Sequence, residues 1–136
     1  MRIRPLRQAD LARIPQIDTR FTSATVLAVE KEVAGLHVTW RLIERQLSQP
    51  FERTEGYIVT QQDVAELQAR LRAGDGLYLV AEVEGQVVGL LDMERESWRD
   101  TAMIWNLLVD RAHRRQGIGR EFIRRAIAWG RQHNLR

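Results

Sequence analysis

Residues 114–119 read Arg114-Arg115-Gln116-Gly117-Ile118-Gly119, and the stretches on either side of them decide the fold. Upstream, Thr101 to Asp110 holds a nearly continuous apolar run, Ala102-Met103-Ile104-Trp105-Asn106-Leu107-Leu108-Val109. That pattern suits a central strand covered on both faces. Downstream, Gly117 to Gln132 reads as an amphipathic helix, with Ile118, Phe122, Ala126 and Trp129 facing inward and Arg120, Arg124 and Arg131 outward. The segment is therefore a strand-to-helix junction. There the first helical amides have no partner in the helix, and the dipole adds partial positive charge, so phosphate binds well. Gly117 and Gly119 remove the β-carbons that would hold a pyrophosphate away, and Arg114 and Arg115 put full charges beside it.

Three glycine-rich phosphate motifs can look like this, and their requirements separate them. A Walker A loop ends Gly-Lys-Ser/Thr, whereas Gly119 is followed by Arg120 and Glu121, with no hydroxyl for magnesium. A dinucleotide fingerprint needs a third glycine where Phe122 stands, and a β-α-β crossover in place of hairpins. Gly74-Asp75-Gly76 follows a helix and enters a strand, so it reads as a helix stop.

Working outward, Leu77 to Val83 and Gln86 to Met93 form a hairpin about the turn Glu84-Gly85, and Trp98-Arg99-Asp100 makes a second turn. Gln61 to Ala73 is a helix with Val64, Leu67 and Leu71 on one face and Gly74 stopping it. Ser48 to Thr54 contains Pro50 and reads as a loop, while Thr25 to Glu44 reads as a strand pair about Ala34-Gly35. Val26, Val29, Val33, Leu36, Val38, Trp40 and Leu42 carry its β spacing. Arg2 to Leu6 alternates like a strand, and Asp10 is placed to cap a helix carrying Leu11, Ile14 and Ile17, which Pro15 kinks or shortens. The order β-α-ββ-α-βββ-α implies one α+β domain over residues 1–136 with a mainly antiparallel sheet.

Composition bounds the function. The chain has 136 residues, 44% hydrophobic and 29% charged, which suits one folded domain. It has no cysteine, so disulfides, thiolate metal clusters and cysteine nucleophiles are excluded. His37, His113 and His133 lie far apart without metal-ligand spacing, and no metal is expected. No apolar stretch is long enough for a membrane span and the N-terminus lacks a signal peptide's apolar run, so a cytoplasmic location is expected. The net charge is +3, and every basic residue except Lys31 is arginine, spread along the chain. A nucleic-acid module would draw on Arg111, Arg114, Arg115, Arg120, Arg124 and Arg125, but no recognition-helix motif supports it.

The pattern Arg-x-x-Gly-x-Gly after a strand ending Leu107-Leu108-Val109-Asp110 closely resembles the acetyl-coenzyme A signature of the GNAT acyltransferase superfamily. The resemblance covers essentially the whole chain, although only the element order and this motif are specific. Ile17-Asp18, then Phe21-Thr22 and an extra hairpin, look most like the streptothricin acetyltransferase group. The resemblance implies the GNAT fold and N-acetyl transfer from acetyl-coenzyme A to a small-molecule or peptide amine. Gln116, Gly117, Ile118, Gly119 and Arg120 would offer amides to the pyrophosphate, with charge from Arg114 and Arg115. The main chain of Leu107, Leu108 and Val109 would pair with the pantetheine arm. A bulge in that strand would present an amide to the thioester oxygen as the amine attacks directly.

Two departures from the family pattern stand out. Relatives often carry a carboxylate on the strand before the motif, where this chain has Trp105 and Asn106. Asp92 and Glu94 on the neighbouring strand are substitutes, though as surface carboxylates they read more simply as solvating, and the base stays unassigned. Trp40, Trp98 and Trp105 would either line an acceptor pocket or simply pack. The family fold also continues with a further strand, helix and strand where this sequence reaches Arg136, and there it often supplies a tyrosine acid that neither Tyr57 nor Tyr78 matches. The resemblance thus implies an incomplete domain whose strand before the motif has an open edge, which favours homodimers. A catalytically incomplete coenzyme A-binding or assembly domain is the competing reading.

Overall fold

The computed structural model describes residues 1–53 and 59–135. The elements run β1 (Arg2–Pro5), a 3-10 helix (Gln8–Gln16), β2 (Phe21–Ala34), β3 (His37–Arg53), α1 (Gln61–Ala73), β4 (Gly76–Val83), β5 (Gln86–Glu96), β6 (Thr101–Val109), a 3-10 turn (Arg111–His113) and α2 (Ile118–Gln132). This is the order expected from the sequence, and all strand pairs are antiparallel. The chain divides into two compact units, residues 20–56 and the remainder.

The larger unit is a four-stranded sheet in the order β1-β4-β5-β6. Glu84 and Gly85 both take positive φ, 49° and 78°, the conformation that lets a two-residue turn match the twist of β4 and β5. Strand alternation sends Val80, Val87 and Leu90 to one face, where they pack with Leu11 and Ile14 of the 3-10 helix and Leu67 of α1. Leu79, Ala81, Val88 and Leu91 go to the other, against Ile118, Phe122 and Ala126 of α2. Helix therefore covers both faces of β4 and β5. Gly89 permits the closest approach, since a β-carbon there would lie 3.1 Å from Phe122 Cε2 and 3.0 Å from Leu108 O.

α1 begins at a reciprocal cap, Thr60 Oγ1 accepting from Asp63 N at 3.1 Å and Asp63 Oδ2 accepting from Thr60 N at 2.7 Å. It ends at Gly74, in the left-handed region at φ 74°, as the sequence indicated. The first helix differs from expectation. It is a 3-10 helix that starts before Asp10, which sits within it and accepts from Arg7 N at 2.9 Å. Asp10 also takes two bonds from the buried Arg4 guanidinium, at 2.6 and 2.9 Å, so it anchors β1 as well as the helix start. Pro15 lacks the N–H that a longer α-helix would need.

The smaller unit is the β2–β3 hairpin. The expected turn after Ala34 is present, but both strands are longer. Ser48 to Arg53 belongs to β3 and not to a loop, and Thr54 lies outside the described residues. Proline is tolerated because the register shifts there: Thr25 pairs Gln46 whereas Ser23 pairs Phe51, leaving Pro50 in an irregular stretch of a two-stranded ribbon. One face carries Leu27, Val29, Val33, Val38, Trp40 and Leu42, all exposed. The other carries the ion pairs Glu30–Arg45 and Glu32–Arg41.

β6 answers two expectations differently. It is the edge strand of the described sheet, the open edge that the family resemblance implied, and not the covered central strand that its apolar run suggested; Met103, Ile104, Trp105 and Leu107 are exposed. A continuous apolar run fits either position, because it records which side chains avoid water but not what covers them.

Candidate functional site

The site grows from the connection between β6 and α2. Asp110 closes the strand by accepting from Ala112 N at 3.0 Å and Asp18 N at 2.9 Å. Its Oδ1 also meets His113 Nδ1 at 3.3 Å. The chain then turns through Arg115 at φ 62° and Gly117 at φ 88° into α2. Such φ values cost a β-carbon-bearing residue energy, and Gly117, the N-cap, avoids that cost.

α2 begins with no internal acceptor. Its N-cap is a glycine with no side-chain bond, and the third helical residue is Arg120, which has no acceptor to give. Glu121 turns along the helix to Arg124 and Arg125, at 2.7 and 2.8 Å, and those bonds pull its carboxyl down to about 2. The amides from Gln116 to Arg120 therefore have no partner among the described residues. Gly119 has no positive φ, and a β-carbon there would merely touch Leu107 Cδ2 at 3.9 Å. The fold does not need glycine at 119, whereas a ligand approaching the amides does.

Arg114 donates from Nε to Val109 O at 3.1 Å, which holds its charge at the strand end beside these amides. Arg115 and Arg120 are exposed, and the Gln116 side chain bonds Ala112 O at 3.3 Å. Leu107, Leu108 and Val109 lie on the outermost strand, and among the described residues nothing pairs with the side of β6 away from β5. The register breaks between Asp92 and Met93: Asp92 pairs Asn106 and Met93 pairs Ile104, so Trp105 is the extra residue of a β-bulge. The ten residues expected for cofactor binding thus lie on β6, on the start of α2 and in the turn between them.

On the α1 side of this bulge is a polar cluster whose linchpin the sequence reading missed. Asp92, expected on the surface, is fully buried. Its carboxylate takes Arg70 Nη2 at 2.6 Å, Arg70 Nε at 3.3 Å and Asn106 Nδ2 at 2.9 Å. Arg70 comes from α1, three residues after the buried Leu67. That spacing was the available signal that its head meets the sheet. Its guanidinium also lies 5.4 Å from the Trp105 ring centroid. Glu94, half-buried, accepts from Trp105 Nε1 at 3.2 Å.

Tyr78 is buried on the same face and its hydroxyl has no partner. Burial, with Glu94 and Asp92 nearby, pushes that hydroxyl up to about 12. Trp98 is exposed in a turn and Trp40 is on the separate hairpin unit. Tyr57 lies outside the described residues. No group of three His, Asp or Glu among the described residues is placed to hold a metal, and no described helix is long and apolar enough to cross a membrane.

A family model described as "Acetyltransferase (GNAT) family" matches residues 36–136. No curated protein sequence matches the chain. Among solved structures, a Bacillus anthracis str. Ames protein described as a streptothricin acetyltransferase, in complex with acetyl coenzyme A, is 20% identical with a TM-score of 0.67, over 98% of this chain and 69% of that one. A nourseothricin acetyltransferase is 20% identical with a TM-score of 0.71, over 98% of this chain and 68% of that one. A GNAT family acetyltransferase from Brucella melitensis, in complex with acetyl-CoA, is 24% identical with a TM-score of 0.56, over 99% and 71%. These likenesses are of fold.

Proposed function

Because the chain belongs to the GNAT family of acetyltransferases, whose model matches residues 36–136, we propose that it moves an acetyl group from acetyl-coenzyme A directly to a primary amine. The observation that carries this reading is the row of open amides from Gln116 to Arg120, with Gly119 kept bare where the fold itself would accept a methyl. Those amides and Arg114 hold the pyrophosphate, with Arg115 adding charge. The free side of Leu107, Leu108 and Val109 pairs with the amide groups of the pantetheine arm. Bound acetyl-coenzyme A supplies the activated acyl group. The bulge at Trp105 frees an amide of β6 from the ladder, and that amide steadies negative charge on the acyl oxygen during attack.

The acceptor is a small-molecule or peptide amine. Streptothricin-like amines are its first candidates, because the neighbours solved as streptothricin and nourseothricin acetyltransferases share this fold over 98% of the chain. Melting the protein with and without acetyl-coenzyme A, then following free thiol over a panel of streptothricins, polyamines and peptides, tests both halves. A raised melting temperature with thiol release supports transfer. A raised temperature without release from any amine supports a coenzyme A-binding domain instead, and no rise at saturation rejects the cofactor reading.

A further inference from the structure

Asp92 and Glu94, the two β5 carboxylates beside Arg70 of α1, differ in what they can still do. Both Asp92 oxygens are engaged by Arg70 and Asn106, and the side chain has 0% exposure. It is a positioning residue: through Asn106 and Arg70 it fixes the strand on one side of the bulge and the guanidinium over Trp105. Glu94 is half-buried and open to solvent, with only Oε2 engaged and Oε1 without a partner among the described residues. Its partner Trp105 is the bulge residue itself, 55% exposed, with Arg70 near its ring.

We propose that Glu94 is the catalytic base of this chain and that, with the open surface of Trp105, it seats the acceptor's ammonium group at the bulge. The assignment rests on the acetyl-transfer reading above. A second observation points to a ligand at the same place. The Tyr78 hydroxyl is buried and unpartnered, and it lies over Gly76, the residue paired with Glu94, since a β-carbon at Gly76 would be 2.5 Å from that oxygen. A buried hydroxyl left unmatched is unfavourable, and an amine or a water relaying its proton to Glu94 would supply the partner.

Charge favours the same occupant. Asp92 and Glu94 outnumber Arg70, and Glu66 adds a further carboxylate 3.9 Å from Arg70, so the cluster is net negative and attracts a cation. An indole face adds to that attraction. In the reaction, a Glu94 oxygen takes one proton from R–NH3+, and the free amine nitrogen forms a bond to the acyl carbon as the carbon–sulfur bond breaks. Sulfur leaves with the bonding electron pair and takes the second proton released by nitrogen. Glu94 then returns its proton to solvent, so one amide, one thiol and one proton result.

The test compares wild type with Glu94→Gln and Glu94→Asp, using spermidine and a lysine-containing peptide as acceptors. Glu94→Gln should lower kcat/KM for the amine at pH 7 by roughly 100-fold or more, with Glu94→Asp recovering part of it. The deficit should shrink toward pH 10, because a growing fraction of a simple amine titrating near 10.4 then arrives deprotonated. The acetyl-coenzyme A melting shift should be the same in all three proteins. A Glu94→Gln enzyme with wild-type kcat/KM, or a deficit constant across pH, would overturn the assignment while leaving cofactor binding intact. Wild type that binds acetyl-coenzyme A but neither binds spermidine, by calorimetry, nor acetylates either acceptor would also overturn it. Loss of the acetyl-coenzyme A shift in wild type would reject the cofactor reading itself.

Discussion

Replacing Gly119 by alanine separates what the fold requires from what the cofactor requires. The residue is the second of α2, its φ is not positive, and the added methyl would meet only Leu107 Cδ2 at 3.9 Å. Alanine in a helix gains about 0.5–1 kcal/mol over glycine, so the free variant should melt roughly 2–5 °C higher. Acetyl-coenzyme A should act oppositely. A charge-assisted bond from an amide to phosphate is worth about 1.5–3 kcal/mol, and the methyl obstructs two such amides, Gly119 and Arg120. A loss of about 3 kcal/mol is roughly 100-fold in Kd. At a ligand concentration giving wild type about 2.7 kcal/mol of stabilisation, the variant should gain only about 0.4 kcal/mol. Differential scanning calorimetry reads both effects. Equal ligand shifts in the two proteins would refute the argument that Gly119 is bare for the cofactor.

Gly117→Ala should change stability in the other direction, losing about 1–2 kcal/mol because φ is 88° there; urea denaturation checks the sign. Phe122→Ala empties the space beneath Gly89 and should cost about 3–5 kcal/mol in the same assay. Asp92→Ala leaves Arg70 without its buried partner and should cost about 3 kcal/mol, again by urea denaturation. The Arg4 bonds hold Asp10 below its ordinary value. Its stabilisation is therefore present above about pH 4, where the unfolded carboxyl ionises, and is lost as pH falls through the lower folded value. Asp10→Asn should accordingly be less stable than wild type at pH 7, with the gap closing in acid melts.

Much of this architecture was legible in the chain because it rests on local chemistry. Helical spacing of Val64, Leu67 and Leu71 before Gly74 gave α1 to the residue, and Glu84-Gly85 gave the β4–β5 turn. The anion site was legible for the same reason, since unpaired amides, glycines and arginines are all properties of consecutive residues. Non-local facts were not. The residues of Thr101–Val109 do not themselves make β6 an edge, which only the family resemblance implied, and Pro50 looks like a loop until its partner strand shows the register shift. The Arg70–Asp92–Asn106 cluster joins three elements. Asp92 consequently read as a surface carboxylate, and the distinction between it and Glu94 emerged only from their partners.

The central claim is that the start of α2 and the free side of β6 hold acetyl-coenzyme A. Backbone amide chemical shifts of 15N-labelled protein, recorded as acetyl-coenzyme A is added, address it residue by residue. The largest changes should fall on the amides from Gln116 to Arg120 and on Leu107 to Val109. Saturable changes that leave the amides from Gln116 to Arg120 unmoved would contradict the claim.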